Sequence, residues 1–285
     1  MQNSTTNVLR AFATLADRRD ELLTSGASSH NRANQMGEKL ENYTKCLFAD
    51  AFDESEEDRP EIYSRCFSYL GNNNNPPDMI IRNGDAIEVK KIERRITALA
   101  LNSSHPKDVL HSDDSRITAD CRNCEDWTEK DMFYIIGHTN KQTLEHLWMI
   151  QGKCYAAKRD TYERLSTKMS EAIYSAPDID FAQTNELAKI DRIDPLGITN
   201  LRIRGMWQIV HPEKVFNYIS QSQNNYATLL LLTEKYYSYP ESDRRYIEES
   251  ANDGTNRIKI ADVRIMDPNN PANLLDAKII TLNDN

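Results

Sequence analysis

The sequence predicts an α/β protein in which a central mixed β-sheet is flanked by helices. Two observations carry that reading. Apolar residues recur at helical spacing through the first fifty positions. From Phe67 onward the texture changes to short apolar runs bounded by turn-forming residues, with helical stretches interspersed. No Pro-, Gly- or Ser-rich linker divides the 285 residues, so one domain is expected over 1–285, with its core at about 30–220 and a C-terminal extension at about 221–285.

Two helices open the chain. In the first, Val8, Leu9, Phe12, Leu15 and Leu22 recur near helical spacing. The second runs from about Asn31 to Phe52 and aligns Met36, Leu40, Tyr43, Leu47 and Phe48. A short helix is expected at Glu61–Cys66. Phe67–Leu70, Met79–Ile81 and Ala86–Lys90 read as strands, the last two joined by the turn Arg82-Asn83-Gly84-Asp85. Met132–Ile136 and Leu147–Gln151 read as a further strand pair across the polar stretch Thr139–Gln142, and Thr161–Ile173 reads as a helix. Asn200–Val210 alternates as a strand, Pro212–Ile219 reads as a short helix, and Leu229–Leu232 as a buried strand. Ile258–Ile260 and Lys278–Leu282 close the chain as two short strands.

Composition removes several functions. Lys and Arg number 35 against 44 Asp and Glu, a formal charge of −9. That argues against a protein coating nucleic acid by bulk charge and leaves room for one local basic cleft. Nine glycines, with no GxGxxG and no GxxxxGK[ST], remove the usual dinucleotide and P-loop readings. The longest purely apolar run, Met132–Ile136, is far short of the ~20 residues a membrane span needs. No basic-then-apolar leader opens the chain. Five cysteines without framework spacing predict reduced thiols and a cytoplasmic protein.

The chemistry lies in Pro77-Asp78-Met-Ile-Ile-Arg-Asn-Gly-Asp-Ala-Ile-Glu88-Val89-Lys90. A Mg²⁺-dependent phosphodiesterase needs one or two carboxylates for the ion, with water and substrate phosphate completing the shell. A neighbouring cation holds and polarises the attacking water. On a strand, Glu88 and Lys90 share a face while Val89 turns to the core. The turn at 82–85 folds the preceding strand back and can set Asp78 beside Glu88. Asp78 and Glu88 are thus the candidate metal ligands, with the Val89 carbonyl as an additional one, and Lys90 the candidate water-orienting group. A second Pro-Asp, Pro177-Asp178, precedes Glu186-Leu-Ala-Lys189, one residue too long for the pattern.

Proline-aspartate, an intervening strand and turn, then Glu-x-Lys is the signature of the PD-(D/E)xK nuclease superfamily, and the chain resembles it without substitution. In that superfamily a helix preceding the sheet commonly supplies a further acidic residue. Glu41, following Leu40 on the second helix, is the candidate. Lys91, Asn102, Ser104 and Lys107, beyond the catalytic strand, are candidates for DNA phosphate contacts. Arg202 and Arg204, on one face of Leu201–Trp207, are candidates for base contacts, since Arg pairs with guanine in a major groove.

The resemblance narrows further. Phe67–Asp78, Gly84–Ile92, Ala98–Lys107 and Leu201–Trp207 look like type II restriction endonucleases of the NgoPII type, over roughly residues 30–220. That resemblance implies a restriction-endonuclease-like core and Mg²⁺-dependent double-strand cleavage of DNA at a short palindrome, GGCC. It also implies a homodimer with one site per strand and a cognate DNA methyltransferase as functional partner. Two other readings stay open: a structure-specific repair or recombination nuclease of the same superfamily, and a noncatalytic interaction domain whose hairpin charges are surface decoration. Cys121-Arg-Asn-Cys124 is a lone CxxC. A structural zinc would need two more ligands, and Cys154 or His111 would have to be recruited by the fold.

Overall fold

Helix α1 (Val8–Asp17) begins where Asn7 caps it: the Asn7 side-chain oxygen accepts the N–H groups of Leu9 and Arg10 at 2.9 and 3.2 Å. Val8, Leu9, Phe12 and Leu15 are fully buried, and helix α2 (Arg32–Ala49) adds Leu40, Tyr43, Leu47 and Phe48 to the same cluster. These are the positions that helical spacing selects. The computed structural model describes residues 6–18, 32–72, 75–140, 143–219, 225–252 and 257–283; the expected core positions Leu22 and Met36 (the latter for its side chain) lie outside what is described.

A short helix, α3 (Arg59–Cys66), leads into strands β1 (Phe67–Asn72), β2 (Asn75–Ile81) and β3 (Ala86–Ile92). Strands β4 (Leu99–Asn102) and β5 (Val109–His111) and helix α4 (Ala119–Asn123) precede the long pair β6 (Glu129–Asn140) and β7 (Thr143–Gln151). Helices α5 (Gly152–Tyr155) and α6 (Arg159–Tyr174) are followed by short strands β8 (Ala188–Ile190), β9 (Leu201–Ile203) and β10 (Trp207–Ile209), then α7 (Pro212–Val215). The chain continues through β11 (Asn225–Leu232), α8 (Thr233–Ser238), α9 (Glu241–Asn252), β12 (Ile258–Asp267) and β13 (Asn270–Asn283).

The main sheet runs β1-β2-β3-β6-β7-β11-β13-β12, with β5 added against β6. Pairs β3–β6 and β7–β11 are parallel and the others antiparallel, so the sheet is mixed, as the sequence predicts. Its inner strands alternate between two cores. Met79, Ile87, Phe133, Ile135, Leu229 and Leu231 pack under α1 and α2. Ile80, Ala86, Tyr134, Ile136, Trp148 and Leu230 pack with Phe216 on the other face. Residues beyond 220 extend this same sheet through β11, β12 and β13.

One expected element is corrected. Asn200–Val210 is not a single strand: β9 pairs with β8, β10 pairs with β4, and Arg204-Gly205-Met206 lies between them outside either ladder. Alternation indicates extended chain but does not say which neighbour each half will take.

Candidate active site

Strands β2 and β3 form the hairpin that carries the motif, in the register Met79↔Ile87 and Ile80↔Ala86. The turn is closed by the Gly84 N–H donating to the Ile81 carbonyl (2.8 Å), with Asn83 in the left-handed region at φ 55°. Every turn residue is anchored. The Arg82 guanidinium donates to the Ser64 and Phe67 carbonyls, and the Asn83 N–H donates to Glu125 at 2.7 Å. Lys130 donates to the Gly84 carbonyl, while Lys235 and the Tyr239 hydroxyl hold Asp85 at 2.5 and 2.7 Å. These supports come from distant parts of the chain, and no local motif announces Lys235 or Tyr239.

By strand alternation Asp78, Glu88 and Lys90 share the face opposite α1 and α2. Lys90 Nζ donates to Glu88 Oε1 at 2.5 Å, with side chains 21% and 13% exposed. Beyond Ile87 the β2–β3 ladder opens, and the Val89 N–H donates instead to Asp78 Oδ2 at 2.6 Å. A strand residue directs its N–H and C=O to the same edge, so the Val89 carbonyl also faces the Asp78 side. Gly71 on β1 allows this close approach: a Cβ there would lie 2.4 Å from the Pro77 carbonyl oxygen and 2.9 Å from that of Asp78.

The electrostatics are those of a site short of positive charge. Burial and the facing Glu88 carboxylate push the Asp78 carboxyl up to about 8, against the pull of Lys90 and the Val89 N–H. Burial works to lower Lys90, but Glu88 and Asp78 outweigh it and hold the ammonium above its ordinary value. Glu88 Oε2 is buried without a partner among the described residues. It opens into a narrow cleft lined by Pro76, Leu101, Ser104, His105, Lys107, Met132 and Tyr134, where the Ser104 hydroxyl is likewise buried and unpartnered. Two partly buried carboxylates against one ammonium, with one buried oxygen orphaned, fit a hard divalent cation. Among the described residues no group of three or more His, Cys, Asp or Glu side chains is disposed to hold a metal, so water and substrate would have to complete the shell.

The remaining candidates divide. Glu41 on α2 pairs with Lys45 at 2.7 Å, and its charge reaches the hairpin, raising both Asp78 and Lys90. Asn102 is exposed at the end of β4, in the left-handed region at φ 51°. Lys91, on the opposite face from Lys90, is mostly covered and paired with Glu93 at 2.7 Å. Lys107 is a correction: only 3% exposed, it forms a 2.5 Å ion pair with buried Asp114, so its ammonium is not offered to a phosphate. Arg202 and Arg204 are exposed and share one carboxylate, Glu186, Arg202 at 2.7 Å. Cys121 is buried, its thiol pushed up to about 12 by burial; neither it nor Cys124 joins a metal cluster among the described residues.

A mixed sheet whose second and third strands turn two acids and a lysine onto one face is the frame of a PD-(D/E)xK nuclease. The NgoPII restriction endonuclease family matches residues 6–266. The chain is 44% identical over 279 residues to the type II restriction enzyme NgoPII of Neisseria gonorrhoeae, spanning 96% of this chain and 99% of that one. No solved structure matches it. The chain belongs to the NgoPII restriction endonuclease family and is a type II restriction endonuclease. Among the described residues no helix is long and apolar enough to cross a membrane.

Proposed function

We propose that Asp78, Glu88 and Lys90 hydrolyse DNA phosphodiesters at a short palindrome, GGCC by the family resemblance, with Mg²⁺ as the ion. The observation that carries this is the 2.5 Å Lys90–Glu88 pair beside Asp78, with Glu88 Oε2 buried and unpartnered. Asp78, Glu88 and the Val89 carbonyl would hold Mg²⁺, which when bound supplies Lewis-acid stabilisation of the charge developing on the phosphate oxygens. Lys90, held as an ammonium at neutral pH, donates to the attacking water and orients it in line with phosphorus; it does not act as the base. Glu41 tunes the charge of the site from α2. Asn102 and the unpartnered Ser104 hydroxyl, beside Glu88, supply donors for the phosphate backbone. Arg202 and Arg204, held side by side by Glu186, keep their other N–H groups for base edges.

A palindrome presents its two strands through a two-fold axis, so a homodimer with one site per strand matches its symmetry. A methyltransferase of the same specificity is the functional partner, because unmodified host DNA would otherwise be cut. The test is digestion of plasmid DNA of known sequence with Mg²⁺, followed by mapping of the ends. Discrete ends at one palindrome, lost when that palindrome is methylated, support the reading. Random ends, or ends at branched structures only, contradict it.

A further inference from the structure

Helix α6 and the segment after it are folded but bury almost nothing. Of residues 157–210 only Ala188 is buried, and the sixteen residues of α6 contribute no buried side chain, where the ten of α1 contribute seven. Ten of the sixteen exposed large apolar side chains among the described residues fall in this stretch. Leu196 and Ile198 are the most open at 81% and 76%.

The tip that carries them is pre-set. The Asp194 carboxylate accepts the N–H groups of Leu196 (3.0 Å), Ile198 (3.1 Å) and Thr199 (2.6 Å), and the Ile193 N–H donates to the Thr199 carbonyl at 2.9 Å. Gly197 takes φ +68°, which lets the chain turn between the two apolar residues. A loop already held in one shape loses little entropy when it is covered. The same stretch forms most of a receiver, a cleft against residues 103–116 whose apolar lining includes Leu165 and Met169 of α6 with Leu187, Met206 and Trp207.

We propose that two copies of this chain pair through the apolar tip and cleft of this stretch, the Leu196–Ile198 tip of one seating in the α6 cleft of the other. The inference rests on the dimer reading above and assigns it a surface. Three features favour a second copy over a nucleic acid. Ten apolar side chains at 40–81% exposure present on the order of 10³ Å², comparable to the ~800 Å² per partner of a standard interface. The stretch is charge-balanced, with eight Lys and Arg against eight Asp and Glu. Apart from Arg202 and Arg204, kept for base edges as above, two of its cations are engaged locally, Lys189 by Asp191 and Arg159 by Asp113 and Glu163. Knob and receiver on one module are self-complementary, as a two-fold contact requires.

Sedimentation equilibrium of the full chain at micromolar concentration tests this, with far-UV circular dichroism as the folding control. The wild type is expected to be dimeric. Leu196→Asp/Ile198→Asp and, separately, Met169→Asp are expected to raise the dimer dissociation constant at least about 100-fold while keeping the spectrum, and Leu274→Asp on β13 is expected to leave it unchanged. If the wild type is a dimer and both tip and cleft variants remain equally dimeric, the face is wrong while the dimer reading stands. If the tip and cleft variants stay dimeric but bind the duplex tenfold more weakly, the apolar tip and cleft are themselves a DNA contact and the proposal falls. A wild type that is monomeric with and without its DNA removes the dimer reading and this inference together.

Discussion

Replacing Asp78 by Asn is predicted to stabilise the metal-free protein. The Asp78 carboxyl is raised from 3.8 to about 8 by burial and by Glu88. Its folded-state affinity for a proton therefore exceeds the unfolded one, and the stability it contributes is fully present below about pH 4 and lost as pH rises through about 8. Each pH unit in that window costs the folded state about 1.4 kcal/mol, so on the order of 4 kcal/mol has been lost at pH 7. Asparagine never ionises and can still accept the Val89 N–H that Asp78 Oδ2 accepts at 2.6 Å. The assay is thermal melting in EDTA from pH 5 to 8.5. Asp78→Asn should melt roughly 10 °C above the wild type at pH 7, with the gap widening as pH rises and closing towards pH 4. Added Mg²⁺ should raise the melting temperature of the wild type more than that of the variant. A gap that is absent at pH 8, or that favours the wild type, would refute the electrostatic account of the site.

Three further outcomes are expected. Glu41→Gln should slow cleavage roughly 10- to 100-fold while leaving duplex binding intact, because Glu41 acts on Asp78 and Lys90 through its charge; single-turnover kinetics with a binding titration measure both. Lys107→Ala should cost about 3–5 kcal/mol in denaturant unfolding by stranding buried Asp114, whereas Lys107→Met with Asp114→Leu should cost much less. Gly71→Ala should push β2 away from β1, lowering stability by about 1–3 kcal/mol and activity with it, as melting and cleavage assays on one preparation would report.

The parts of this molecule legible in the sequence are those that local pattern specifies. The α1 apolar stripe, the β2–β3 hairpin and the pairing of Glu88 with Lys90 follow from spacing and turn chemistry, as does the approach of Asp78. What escaped depends on distant partners. Lys107 sits among polar and basic residues that read as a surface loop, yet the fold closes over it and Asp114. The hairpin turn is held by Lys235 and Tyr239, some 150 residues away, and the tyrosines there carry no signal of that role. Strands β12 and β13 run longer than the short apolar runs suggest, because their far ends pair with each other as an exposed ribbon rich in polar residues such as Arg264 and Asp276. The break at Arg204–Met206 is invisible for the same reason: neighbouring strands decide it.

The most direct test of the central claim is single-turnover cleavage of a short duplex containing the mapped palindrome by Lys90→Ala. The account predicts a rate about 10²- to 10⁴-fold below wild type, with duplex affinity held within a few-fold, because the ammonium that orients the attacking water is gone while the DNA-facing groups remain. Cleavage at a rate within tenfold of wild type would contradict it.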